Sequence, residues 1–319
     1  MTSKSLGIGL AGLGRHGMRY AQHLLAGDVP RARLVAVHRR DPETGRAWAR
    51  LRDVTFHDSV AGLVADPAVD VLVAVLPPSL HPDAIAAAAA AKKPVLVEKP
   101  LATSPAAARH AIHSARSAGI RAMVAHTLRY NSVVRALWDM RQRVGEIQAI
   151  SIDQRYEPAA RAWLDDPAEG GPVLNVAAHG VDLLRFFSGA EVVEVRAFGR
   201  RIATRNVPDA FAAVLRLEPG DLLATLENTR AAGARTGRIE IVGSAGVLTA
   251  DQMHGTLAEV HGRTRHTLPV DPPVPTVREV LRSFVDAMIE DKPTPIPLED
   301  GLAAVEAAAL IQSALGENA

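Results

Sequence analysis

The chain has 319 residues, 48% of them hydrophobic and 22% charged, a composition of soluble globular proteins with length for about two domains. Its 36 basic and 35 acidic side chains leave a net charge of +1, which gives no footprint for nucleic acid or an anionic membrane. Cysteine is absent, excluding disulfides, thiolate catalysis and cysteine-ligated zinc.

The N-terminal stretch MTSKSLGIGLAGLG runs into a strand and a glycine-rich turn without the features of a signal peptide. The apolar run Ala84–Ala91 is too short to span a bilayer and ends in Lys92 and Lys93. A cytoplasmic protein with no membrane partner is expected.

From the start, strand-like and helix-like segments alternate. LGIGLAG is an apolar strand, followed by a helix from Met18 to Ala26. RLVAVH, VDVLVAVL, PVLVEKP and IRAMVAH read as further strands. Between them, PETGRAWARLR, HPDAIAAAAAA and SPAAARHAIHSARSAG read as helices, the last with a serine cap and a glycine stop. Continuous apolar strands separated by helices predict a parallel sheet covered on both faces. Beyond residue 125 the pattern changes. EIQAISIDQRY, EVVEVRAFGRR, AFAAVLRLE, LLATLENTR and GRIEIVG alternate in polarity, and Gly243–Gly246 turns the chain into VLTAD. They predict a largely antiparallel sheet, open on one face and covered on the other by a helix over 173–187. A proline-rich connection (269–277) leads to the helical patterns REVLRSFVDAMIE and LEDGLAAVEAAALIQSAL. The predicted domains are residues 1–124, an α/β dinucleotide-binding domain, and 125–319, an α/β domain with the open sheet. The last helix, about 298–315, is expected to pack back on the first domain.

Gly12-Leu13-Gly14-Arg15-His16-Gly17 places a GxGxxG at the first strand–helix junction. The first glycine permits the tight turn, the second the approach of a pyrophosphate, and the third close packing of the helix. About 20 residues on, NAD-binding folds carry an acidic residue for the ribose hydroxyls. Here Arg39 and Arg40 occupy that end of the second strand, which favours NADP(H), because a guanidinium pairs with a 2′-phosphate. Asp41 leaves NAD(H) open. Leu76–His81 and Val97–Pro100 fall at the ends of later strands, the ligand-binding edge of such sheets. Lys99 follows an apolar strand, sits beside Glu98, and precedes a proline that holds it extended.

The helix over 173–187 is apolar almost all round. Asn175, His179 and Asp182 fall within roughly 60° of arc, with Arg185 one turn further on. A solvated face would carry Lys or Glu, and the segment from Val173 to Gly189 has neither. The stripe therefore reads as the wall of a cleft. A histidine titrating near neutrality can accept or donate the proton of an alcohol–ketone conversion, and a lysine ammonium can stabilise alkoxide charge. Arg155, Tyr156, Arg161 and Trp163, before Gly170, and Arg129, Tyr130 and Asn131 are candidate substrate contacts of mixed aromatic and cationic character. The remaining histidines, such as His110 and His113, form no metal-binding motif, and no metal is expected.

GLAGLGRHG, PPSLH, EKPLA and GGPVLNVAAHGVDLL together resemble the Gfo/Idh/MocA oxidoreductases, the group of glucose–fructose oxidoreductase and inositol dehydrogenase, across nearly the whole chain. The resemblance implies a Rossmann domain, then an α/β domain whose open sheet builds homodimers or homotetramers. It also implies hydride transfer between a nicotinamide and a carbon of a sugar, cyclitol or related polyol. By the same resemblance Gly12, Gly14, Arg15, His16, Gly17, Arg39, Arg40, Pro77, Ser79, His81, Glu98 and Lys99 serve the cofactor. Lys99 also hydrogen-bonds the reacting oxygen, His179 is the acid/base, and Asn175 and Asp182 lie beside it. Asn175 stands where dehydrogenating members often carry Asp. Two other activities occur to such a chain: a hydrolase that cleaves glycosides by transient oxidation with tightly held NAD, and a non-catalytic nucleotide sensor. The sensor would need neither Lys99 nor His179.

Overall fold

The computed structural model describes residues 5–158 and 165–316, and the chain divides into two compact units. The first comprises Met1–Thr127 with Pro275–Leu302, the second Leu128–Val274 with Ala303–Ala319.

In the first unit, β1 (Leu6–Ala11), α1 (Gly17–Leu25), β2 (Ala32–His38), α2 (Pro42–Arg50), β3 (Thr55–His57), α3 (Val60–Ala65) and β4 (Val71–Ala74) follow one another. A 3-10 turn over Pro78–Leu80 leads to α4 (His81–Ala90), β5 (Val95–Glu98), α5 (Pro105–Ala118) and β6 (Ala122–Ala125). The strands form a six-stranded sheet in the order β3-β2-β1-β4-β5-β6, every neighbouring pair parallel. β1, β4 and β5 are buried at every residue, as expected of strands covered on both faces. The order reverses at β1–β4, which brings the exits of β1, β4 and β5 to one edge.

Sequence periodicity left β3 and α3 unread, because three and six residues are too few to establish a period. α3 is nonetheless capped, with the Ser59 hydroxyl accepting from Gly62 N–H at 3.0 Å. The chain also returns to this unit late. Ile296 O accepts from Val124 N–H at 3.1 Å, and Arg121 donates to Ala287 O in α8 (Thr276–Ile289). The first residues of α9 (Leu298–Gly316) belong here too, with Gly301 against Leu101 and Val124.

The second unit contains α6 (Ser132–Met140), β7 (Ile147–Arg155), α7 (Gly171–Ser188), β8 (Glu191–Arg200), β9 (Ala210–Glu218), β10 (Leu222–Thr229), β11 (Thr236–Gly243), β12 (Gly246–Asp251), β13 (Thr256–His261) and β14 (Thr264–Thr267). They build an eight-stranded sheet in the order β14-β13-β12-β11-β7-β10-β9-β8. It is antiparallel except between β7 and β10, which run parallel. The alternation read from the sequence is seen in the burial of β9 and β10, whose inward residues Phe211, Ala213, Leu215, Leu222, Ala224 and Leu226 are covered. α7 lies on this covered face, so close that a Cβ on Gly180 would sit 2.4 Å from a Leu226 methyl. Among the described residues no helix is long and apolar enough to cross a membrane.

Candidate active site

The glycine turn between β1 and α1 shows why each glycine is needed. Gly12 has φ +99°, and a Cβ there would meet Val75 O at 2.1 Å; on Gly17 it would meet Gly12 O at 1.8 Å. Gly14 differs: it is exposed, and a Cβ there would meet nothing within 4 Å. His16 gives α1 no side-chain cap. An open backbone approach beside an uncapped helix N-terminus fits a pyrophosphate. Arg15 is exposed at the same turn.

At the exit of β2, Arg39 lies across this turn, donating from Nη1 to Leu13 O at 3.3 Å, while Arg40 is exposed. Asp41 has a different task. It caps α2, accepting from the Thr44 backbone and hydroxyl, and the hydroxyl bond holds its carboxyl below the usual range.

Glu98, at the exit of β5, is 6% exposed and surrounded by donors. His16 Nε2 donates to Oε1 at 2.7 Å, the Tyr20 hydroxyl donates to the same oxygen at 2.6 Å, and the Lys99 backbone N–H donates to Oε2 at 3.0 Å. Burial pushes the carboxyl up. The His16 charge and hydrogen bond, the Tyr20 hydroxyl and the Lys99 charge outweigh it and lower the pKa to about 2. Burial, with Glu98 beside it, raises the Tyr20 phenol well above its ordinary value. A buried carboxylate thus ties the start of α1 to the end of β5, immediately before Lys99. Lys99 itself is half-buried, and its peptide to Pro100 is cis.

His81 is 0% exposed and its Nδ1–H donates to Pro100 O at 2.7 Å. In this fold it braces the segment after Lys99 and presents no ring edge to solvent. Ser79 is exposed beside it, and Pro77 is half-buried.

In the second unit, α7 carries the polar stripe. From Val173 to Val181 every residue is buried apart from Asn175 and His179, which stand one turn apart and half-buried. Asp182 is 1% exposed and receives a bidentate bond from Arg129, with Nη2 to Oδ1 at 2.6 Å and Nε to Oδ2 at 3.0 Å. Two predicted site residues are thereby brought together as a part-buried ion pair, with Asp182 three residues beyond His179 along α7. Arg185, next along the stripe, instead makes a bidentate bond to Glu191 at 2.6 Å on each side, joining the end of α7 to β8.

Several candidates have other tasks. Asn131 caps α6, its Oδ1 accepting from Val133 N–H at 2.9 Å. Arg155 belongs to the sheet's open face and donates to Glu227 at 2.8 Å. Tyr130 is half-buried in a 3-10 turn over Thr127–Tyr130. Arg161 and Trp163 lie outside the described residues.

Arg230 was not among the residues singled out from the sequence. Its Nη2 donates to Asn175 Oδ1 at 2.8 Å, and its Cζ lies 5.1 Å from the Tyr156 ring centre. The parallel pairing of β7 with β10 sets this up. Thr229 is opposite Arg155, so the next residues, Arg230 and Tyr156, leave the sheet side by side. Nothing local in LLATLENTR marks its last arginine. Tyr20 was missed as well, although its spacing of four from His16 places the two on one helix face.

Comparison with known proteins gives two overlapping matches. Residues 6–126 match the sequence model of the "oxidoreductase family, NAD-binding Rossmann fold", and residues 111–249 that of the "GFO/IDH/MocA C-terminal domain". The scyllo-inositol 2-dehydrogenase (NAD(+)) of Bacillus subtilis is 31% identical over 59% of this chain and 56% of its own. The 1,5-anhydro-D-fructose reductase of Ensifer adhaerens is 28% identical over 96% of each chain. Among solved structures, apo scyllo-inositol dehydrogenase from Lactobacillus casei superposes with a TM-score of 0.85 at 24% identity, over 100% of this chain and 98% of that one.

Proposed function

Since the chain belongs to the GFO/IDH/MocA oxidoreductases, we propose that it interconverts a hydroxyl and a carbonyl on a sugar or cyclitol, preferring NADP(H) to NAD(H). The inositol dehydrogenases and the anhydrofructose reductase among its relatives support that substrate class.

The observation that carries the reading is the stripe on α7, where Asn175 and His179 alone interrupt a buried run. His179 exchanges the hydroxyl proton of the substrate as general acid/base, and Asn175 orients a substrate hydroxyl. Lys99 donates a hydrogen bond to the reacting oxygen and stabilises alkoxide charge. The dinucleotide, when bound, supplies or accepts the hydride. The turn Gly12–Gly17 binds its pyrophosphate, and Arg39, with Arg40 beside it, pairs with the 2′-phosphate. Arg39 lies on that turn while Asp41 is engaged as a helix cap, and this supports the NADP(H) preference. On the sheet's open face, Leu223 (56% exposed) is opposite the half-exposed Ala149, which is opposite Val242 and that in turn opposite Val247, while Val214 (52%) is exposed on β9, and this face joins two copies.

A spectrophotometric screen of NADPH and NADH against polyols and keto-sugars tests the reading. Net production or consumption of the nicotinamide is expected, which a transient-oxidation hydrolase would not give. His179→Ala should lower kcat by about 10²–10⁴-fold with NADPH binding retained. Arg39→Asp should weaken NADPH binding by about tenfold or more and NADH far less. Near-full activity of His179→Ala on the true substrate would refute the acid/base role.

A further inference from the structure

Among the described residues of the second unit, six polar or charged side chains are buried: three acids and three carboxamides. The acids are met by donors, Asp182 by Arg129, Asp209 by the N–H groups of Ile202, Ala203 and Thr204, and Glu259 by Arg143. The carboxamides are Gln154 (0% exposed), Asn228 (1%) and Gln252 (6%). No protein group bonds either end of the Gln154 or Gln252 amide, or the Asn228 Oδ1. A polar group shut away from water without a partner costs free energy, and folded chains keep few of them.

The fold gathers all three on the covered face of the sheet. Gln154 of β7 is opposite Asn228 of β10 on one side and Gly237 of β11 on the other. Asn228 Nδ2 donates to Gln154 O at 2.9 Å, which leaves the Asn228 Oδ1 as an open acceptor. Gly237 makes room for Gln252: a Cβ there would meet Gln252 Cγ at 2.5 Å and Nε2 at 2.9 Å. The Gln252 side chain therefore fills the place of a side chain at 237, next to Gln154. α7 packs on β7 and β10, and two crossings fix where: Gly180 meets Leu226, and Asn175 meets Arg230. Asn228 falls between these crossings on the same face of its strand, under the stretch of α7 that carries His179.

We propose that Gln154, Asn228 and Gln252 form the specificity-determining floor of the substrate site, where they read the hydroxyls of a neutral polyhydroxylated ring. The proposal rests on the reading that α7 walls the substrate site. A hydroxyl both donates and accepts, as a carboxamide does, so neighbouring ring hydroxyls satisfy both ends of each amide. A carboxylate or a phosphate dianion only accepts, and would leave the amide oxygens unmet. The bonds that the protein does not make to these groups are made by the ligand. Such a site rejects an analogue lacking one hydroxyl, because that analogue leaves a buried polar group unpaired.

The test uses the NADPH-loaded full chain and calorimetric titration, which measures affinity without depending on turnover. The neutral probes are myo-inositol, scyllo-inositol, D-glucose and D-xylose, with the monodeoxy forms of the tightest binder. The anionic probes are D-glucuronate and glucose 6-phosphate. Wild type should bind a neutral ring more tightly than either anion, and at least one deoxy form about tenfold or more weakly than its parent. Gln154→Met and Gln252→Met keep side-chain length. Each should bind that parent about tenfold or more weakly and lose the discrimination against one deoxy form. Their thermal midpoints without polyol should be unchanged or higher, because an unmatched buried amide gives way to an apolar group of its shape. Unchanged NADPH affinity in each variant shows that the protein is folded. Full affinity for the parent in both variants, undiminished deoxy discrimination, or a wild type that binds no neutral ring or prefers an anion would overturn the proposal. Failure of the dehydrogenase reading is a separate outcome: amide-dependent binding of a neutral ring, with no net nicotinamide turnover on any of them.

Discussion

Glu98 and Arg230 show how differently single residues reveal themselves. Glu98 stood out in the sequence, in EKP after an apolar strand, but its surroundings did not: the donors His16 and Tyr20 come from α1. They hold its pKa at about 2, against 4.5 for a free carboxyl. A depressed carboxylate pKa contributes stability that is fully present above the unfolded value and is lost as pH falls through the folded one. Glu98→Gln should therefore destabilise the protein most at pH 6. The difference from wild type in urea midpoint should shrink between pH 4.5 and pH 2, the window those values define. A difference that stays constant over that window would show that the charge does not stabilise the fold. Arg230, by contrast, had no local mark, because its importance comes from the strand pairing that sets it opposite Asn175.

At the scale of elements, the glycine turn and α7 were the most legible parts. Their constraints are local: a positive φ, a helix start, a face without Lys or Glu. The structure separates the three glycines by what surrounds them, and the separation is testable. Gly17→Ala drives a methyl into Gly12 O and should cost about 1–3 kcal/mol in unfolding free energy. Gly14→Ala meets open space and should change stability by no more than about 0.5 kcal/mol, while NADPH affinity falls about tenfold. Thermal unfolding and cofactor titration of the two variants check this; equal loss of stability in both would contradict the division of roles. α6, β13 and β14 went unread for a physical reason. β14, TRHT, is exposed along its length, so no buried face imposes a period of two on it, and α6 follows directly on a 3-10 turn.

At the scale of the molecule, the alternation of the late strands leaves one sheet face in solvent, and apolar residues on it are placed in rows by the register. Leu223 is opposite Arg216 and Ala149, and Val242 is opposite Val247. If this face joins two copies, Leu223→Glu should shift the sedimentation coefficient from dimer toward monomer. A wild-type chain that sediments as a monomer at micromolar concentration would exclude the assembly.

The sequence by itself determined the covered parallel sheet, the half-open second sheet, the dinucleotide turn and the polar stripe of α7. Each is a pattern of neighbours along the chain, and periodicity reports such patterns directly. Only the tertiary structure decided the mixed strand pairing, the return of residues 275–302 to the first unit, and which polar groups meet. Asp182 with Arg129, Glu98 with Tyr20 and Asn175 with Arg230 are separated by 53, 78 and 55 residues. A charge in a sequence does not name its partner across such distances. Burial made the choice, because a polar group removed from water must find one.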